Sequence, residues 1–84
     1  MRYKVVTDSV SVSDTRGILE GFSLRATSTA VVNIRDGGAS GSIIVPLNIA
    51  ANTSVLEQTL DLPFNTDIYF EVVSGVVLGT VWVE

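Results

Sequence analysis

The sequence predicts an all-β fold: a single small antiparallel β-sandwich, jelly-roll or immunoglobulin-like, with seven to eight strands. Three observations predict it. β-Branched and aromatic residues fill short alternating runs, no segment carries a helical period, and turn residues recur at the roughly 8- to 12-residue spacing of a sandwich or barrel. The chain has 84 residues, the length of one domain.

Tyr3 to Val6 reads as a short first strand. The Ser-rich stretch Thr7 to Arg16 follows, and its alternation Ser9-Val10-Ser11-Val12-Ser13 suits an edge strand or an extended arm. Residues 1–16 are therefore set apart as an amino-terminal strand or arm, and residues 17–84 as the sandwich. Ile18 to Ala26 alternates, with Ile18, Phe22 and Leu24 on one face and Leu19, Ser23 and Arg25 on the other. Gly21 interrupts this strand and marks a bulge or a close approach by another backbone.

Thr29 to Arg35 and Ser42 to Ile49 form a hairpin around Asp36-Gly37-Gly38-Ala39-Ser40-Gly41, a loop of residues that tolerate positive φ. Pro46 has no N–H for a ladder, so its strand belongs at an edge or a bulge. After the turn at Ala50-Ala51-Asn52-Thr53, Ser54 to Leu62 alternates Leu56, Leu60 and Leu62 against Val55, Glu57, Thr59 and Asp61. Pro63-Phe64-Asn65-Thr66 is a turn with an aromatic plug. Asp67 to Val73 and Val76 to Val83 are expected to pair as a closing hairpin around Ser74-Gly75.

This pattern holds more apolar surface than one core can use. If Ile68, Phe70 and Val72 face inward, Tyr69 and Val73 face outward. With Val77, Val81 and Val83 inside, Val76, Leu78 and Trp82 lie on the other face, and Val31 and Ile44 also oppose the better core candidates of their strands. Contiguous apolar surface of this kind marks interaction sites. Val31, Ile44, Tyr69, Val73, Val76, Leu78 and Trp82 are the candidate oligomer or partner interface, anchored by Trp82 and Tyr69 because aromatic residues dominate interface energetics.

Composition points the same way. Hydrophobic residues make up 46% of the chain and charged ones 17%, below the roughly 25% of an average domain. A chain this short buries only about 60–65% of its unfolded surface, so small domains lean on disulfides, metals or oligomerisation. With no Cys and no His, the disulfide framework and the usual zinc sites are excluded, and oligomerisation remains.

The same absence removes the common nucleophile–base pairs. Asp61 with Asp67, and Asp8 with Asp14, are the carboxylate pairs left for glycoside hydrolysis, and strand-end aspartates are ordinarily solvated turn residues. Asp36-Gly37-Gly38 lacks the alternating ligands of a calcium loop and the Lys of a phosphate loop, so it reads as a turn. No catalytic, cofactor-binding or metal-binding residue is expected, and no cofactor. The net charge of −4 argues against nucleic acid as a partner. No apolar run approaches the roughly 20 residues of a membrane-spanning helix, and Met1 to Val6 lacks the apolar core of a signal peptide.

The run Ala30-Val31-Val32-Asn33-Ile34-Arg35-Asp36-Gly37, followed by Gly41-Ser42-Ile43-Ile44, resembles the V-N-I-x-D-G … S-G-x-x-I hairpin of small tailed-bacteriophage structural proteins. Leu62-Pro63-Phe64-Asn65-Thr66-Asp67-Ile68-Tyr69-Phe70-Glu71-Val72 is similar to their P-F-x-T-G-L-Y-V-x-V segment, and Val73-Ser74-Gly75 through Thr80-Val81-Trp82-Val83 to their final strand. Asp67 stands where those relatives carry Gly, which changes the chemistry of that turn. The resemblance runs from Gly17 to the carboxyl end, and residues 1–16 carry none.

The resemblance implies a β-sandwich protein of the virion: a capsid decoration (cement) protein made in the host cytoplasm and bound to the capsid exterior. It also implies a homotrimer whose partner is the major capsid protein. Head-fibre or tail-associated modules are the structural alternative. A carbohydrate-binding module working through exposed aromatics is the alternative from another class.

Overall fold

A computed structural model describes residues 2–84 as nine strands and, among the described residues, no helix. They are β1 (Arg2–Val6), β2 (Val10–Ser13), β3 (Gly17–Ala26), β4 (Ala30–Asp36), β5 (Ser42–Ile49), β6 (Thr53–Glu57), β7 (Leu62–Phe64), β8 (Ile68–Ser74) and β9 (Val77–Val83). Sheet I has the order β1-β9-β3-β6, with the short β7 sharing the outer side of β3 with β6. Sheet II has the order β2-β8-β4-β5. Every pairing is antiparallel.

The pairs are nested. The β4–β5 hairpin is innermost, and β3–β6, β2–β8 and β1–β9 enclose it in turn. One core lies between the sheets. Val6, Leu19, Phe22, Leu24, Val77, Val81 and Val83 of sheet I pack with Val32, Ile34, Ile49, Ile68 and Phe70 of sheet II. Alternation explains this for β4, β8 and β9, where the buried side chains Val32 and Ile34, Ile68 and Phe70, and Val81 and Val83 stand two residues apart.

The structure sharpens or corrects the sequence reading in five places. First, there are nine strands rather than seven or eight: the strand predicted from Ser54 to Leu62 ends at Glu57, and Leu62–Phe64, which reaches into the turn predicted at Pro63-Phe64-Asn65-Thr66, is a strand of its own. β6 stops at Glu57, Asp61 turns at φ 52°, and the Leu60 N–H donates to the Glu20 carbonyl as the chain crosses to β7. Second, residues 2–16, read as a strand or an extended arm, supply two strands, one to each sheet. β1 pairs with β9, β2 pairs with β8, and Val6 is fully buried.

Third, a register shift between Leu19 and Gly21 flips the parity of β3. Leu19 therefore joins Phe22 and Leu24 in the core, and Ile18 is only half-buried. Gly21 is both bulge and close approach, since a Cβ there would collide with the Glu57 carbonyl oxygen. Fourth, β8 and β9 form no hairpin: the Ser74–Gly75 turn carries the chain from sheet II to sheet I. Fifth, a bulge opposite Ile34 and Arg35 leaves Ile44 unpaired and turns it onto the core.

Phe70 is the largest fully buried side chain and lies between two neighbours, with Val10 and Ile34 as its ladder partners. Phe70→Ala is expected to cost about 3–5 kcal/mol, the usual penalty for emptying a buried aromatic site. Urea unfolding followed through Trp82 fluorescence measures it.

Candidate interaction surface

Pairing fixes which side chains share the outer face of sheet I. Three ladder rows run across it: Tyr3–Trp82–Gly21, then Val5–Thr80–Ser23–Leu56, then Leu78–Arg25–Ser54. Directly paired antiparallel residues point to one side, so these side chains form one surface. Arg25 is the one charge in the three rows. Tyr3, Val5 and Leu56 are 72%, 62% and 59% exposed, the highest values among the exposed large hydrophobic residues, and Leu78 joins them at 50%. Trp82 is half-buried, its ring against the bare backbone of Gly21.

The outer face of sheet II differs. Asn33 and Arg35 on β4 meet Glu71 and Tyr69 on β8 across the ladder. The Asn33 side-chain amide and the Arg35 Nε both donate to Glu71 Oε1, at 3.1 and 3.0 Å, and Arg35 Nη1 donates to the Gly41 carbonyl at 2.6 Å. Val31 and Tyr69 are half-buried beside this polar centre.

The seven predicted interface residues thus do not form one face. Leu78 and Trp82 lie on sheet I, and Val31 and Tyr69 on sheet II. Val73 and Val76 flank the turn between β8 and β9, while Ile44 belongs to the core margin. Tyr3, Val5 and Leu56, outside that set, share the outer face of sheet I with Leu78 and Trp82. The alternation of Tyr3 and Val5 against Val6 carries the signal for two of them, while the predicted strand to Leu62 put Leu56 on one face with Leu60 and Leu62, which lie beyond the end of β6.

The two ends of the molecule are also unlike. One holds the connections at residues 7–9, 27–29, 50–52 and 75–76, where Asp8 is the single charge, and Val73 and Val76 there are more than half exposed. The other holds the two-aspartate clasp. Asp36 accepts hydrogen bonds from the backbone N–H groups of Asn65 (2.8 Å), Thr66 (2.9 Å) and Asp67 (3.3 Å). Asp67 Oδ1 in turn accepts from Gly37 (2.9 Å) and Gly38 (2.7 Å). Gly37 and Gly38 sit at φ 110° and 81°, which presents their N–H groups to Asp67 without the strain a Cβ would bring. The Asp at 67 therefore ties the β4–β5 loop to the β7–β8 loop.

Of the carboxylate pair Asp61 and Asp67, Asp67 is engaged in this clasp and Asp61 sits at φ 52° between β6 and β7. No pocket opens among the described residues, and no group of three or more of their Asp and Glu side chains is placed to hold a metal ion. No helix among them is long and apolar enough to cross a membrane. Comparison of the chain with family models, curated proteins and solved structures returns no match.

Two carboxylates titrate below their usual range. The Asn65 N–H, with those of Thr66 and Asp67, lowers Asp36 against a smaller opposing effect of burial. The Asn33 amide and then Arg35 lower Glu71. A folded-state pKa below the unfolded value adds stability that is present above the unfolded value and lost as pH falls through the folded one. The fold should therefore weaken below about pH 4, where free carboxylates protonate. Asp36→Ala is expected to cost about 1–2 kcal/mol at pH 7, less than three charge-assisted bonds would sum to, because water screens the exposed carboxylate. Thermal melts from pH 7 to pH 2 should show a shallower acid loss in the variant than in the wild type.

Proposed function

We propose that the chain is a bacteriophage capsid decoration protein, a homotrimer of jelly-roll sandwiches that binds the outer surface of the major capsid shell and stabilises it. The observation that carries this reading is the surface: large apolar side chains stand exposed on a sheet face and at one end, in a chain with a thin core. A binding protein needs such surface, and an isolated small domain is burdened by it. The nested strand order supports the jelly-roll assignment: sheet I takes the pairs β1–β9 and β3–β6, with β7 added beside β3, and sheet II takes β2–β8 and β4–β5, which is what rolling up one long hairpin produces. The hairpin and closing motifs support the virion assignment.

The end with Val73 and Val76 suits the shell contact. It is small-residue, nearly uncharged and remote from the acidic clasp, so a docked surface would desolvate few charges. Three copies presenting it together bind by effective concentration even if each contact is weak.

One observation favours a different reading. Tyr3 and Trp82 are cross-strand neighbours on an open face, an arrangement on which a sugar ring could stack. The test is co-sedimentation with empty capsids of the virus whose genome encodes the chain. Wild type should pellet with the shells, and Val73→Asp with Val76→Asp should weaken binding at least tenfold while leaving the unfolding midpoint unchanged. Failure of the wild type to pellet, together with glycan binding lost in Trp82→Ala, would replace decoration by carbohydrate binding.

A further inference from the structure

We propose that the partner of the sheet I outer face is a second and third copy of this chain, joined head-to-tail along the edges of sheet I, with that face turned onto a threefold axis. The inference deepens the proposed homotrimer and rests on self-association alone, whatever the trimer then binds.

The first support is where the exposed apolar groups sit. Tyr3 and Val5 lie on β1, one edge of sheet I, and Leu56 on β6, the opposite edge. Edge-to-edge contact brings these groups together and covers them. Strand direction allows it. β1 opposes β9, β9 opposes β3 and β3 opposes β6, so β1 and β6 run oppositely. Rotation about an axis parallel to the strands therefore sets β6 of one copy antiparallel to β1 of the next, continuing the alternation.

The register supplies the second support. Such a rotation keeps each ladder row at constant height. The row Val5–Thr80–Ser23–Leu56 begins and ends on apolar residues, so Val5 meets Leu56 of the next copy. The adjacent row, Lys4–Val81–Phe22–Glu57, begins on a cation and ends on an anion, so Lys4 meets Glu57 of the next copy. Both are exposed, and neither has an ion-pair partner among the described residues. These charges point away from the axis and would form a solvated rim outside an apolar seam, the usual anatomy of an interface.

Closure selects three copies. Four strands about 4.8 Å apart make a face about 19 Å wide, and three such faces in a triangle lie about 5.5 Å from the axis. That is close to half of the roughly 10 Å spacing at which side chains fill the gap between packed sheets. Four faces in a square would lie nearly 10 Å from the axis and leave a channel. In the triangle Trp82 and Leu78 fill the interior with Val5 and Leu56. Arg25 lies in the last row, where its long side chain reaches solvent at the open end of the prism.

The experiment is sedimentation equilibrium over a concentration series, with charge swaps and cysteine pairs at these exposed sites. Wild type should reach three times the 8.9 kDa chain mass. Lys4→Glu and Glu57→Lys should each raise the midpoint concentration of assembly roughly tenfold, and the double swap should restore it, since only the sign of a matched pair is exchanged. The chain has no Cys, so in Val5→Cys/Leu56→Cys the introduced thiols are the only ones, and mild oxidation should link copies into dimers and trimers. Val5→Cys alone should give no link, because in a head-to-tail contact Val5 never meets itself.

A monomer at all concentrations overturns the proposal. So does a dimer cross-linked by Val5→Cys alone, which would place two faces against each other. A trimer that ignores capsids upholds this inference and sinks the decoration reading. A monomer that coats capsids does the reverse.

Discussion

Nested antiparallel pairing is the constraint on which the molecule depends. Each outer pair joins strands far apart in sequence, up to β1 against β9, which brings the first and last strands side by side. Loop closure for such pairs is entropically costly and must be offset by the core that the closed sheets enclose. That core is a single layer between two sheets, so each strand can bury only one of its faces. The fate of every other side chain follows from this. It is a polar network on sheet II, a hydrogen-bonded loop at one end, or apolar surface left open on sheet I.

The two outer faces show the choice being made differently. On sheet II the middle of the face is held by Glu71 accepting from both Asn33 and Arg35, with Arg35 also donating to the Gly41 carbonyl. Polar groups on a face can satisfy one another and remain wet at little cost, which makes that side self-sufficient. Sheet I has no comparable network among its described residues: Ser23, Ser54 and Thr80 are small, and Arg25 stands at the end of the ladder. Its surface gains free energy only by being covered.

Much of this was legible in the sequence, and the limits have physical causes. Alternation located the cores of β4, β8 and β9, and so placed Trp82 and Leu78 on an outer face. It failed wherever the period was broken locally. One extra residue at Glu20 moved Leu19 inward, and another at Ile44 did the same there. Non-local facts were out of reach altogether. Whether β8 and β9 share a sheet depends on strands near the amino terminus, and the clasp between Asp36 and Asp67 joins loops 29 to 31 residues apart. Asp67 could be noticed as a departure from the resembling proteins, but the donors it serves could not be named.

The edges carry the argument furthest. A free strand edge invites pairing with another chain, and proteins ordinarily blunt it. On sheet II both edges are blunted: β5 carries Pro46, which removes a donor, and β2 is four residues long with a shift in its register. On sheet I neither β1 nor β6 contains a proline or a bulge, and the proline on that side, Pro63, lies on the short β7 beyond the end of β6. What these strands carry instead is selective. Arg2 and Lys4 on β1 repel another β1, and Glu57 on β6 repels another β6, while β1 against β6 is attractive. Edges protected only against themselves favour one order of association over the others, and that order is head-to-tail.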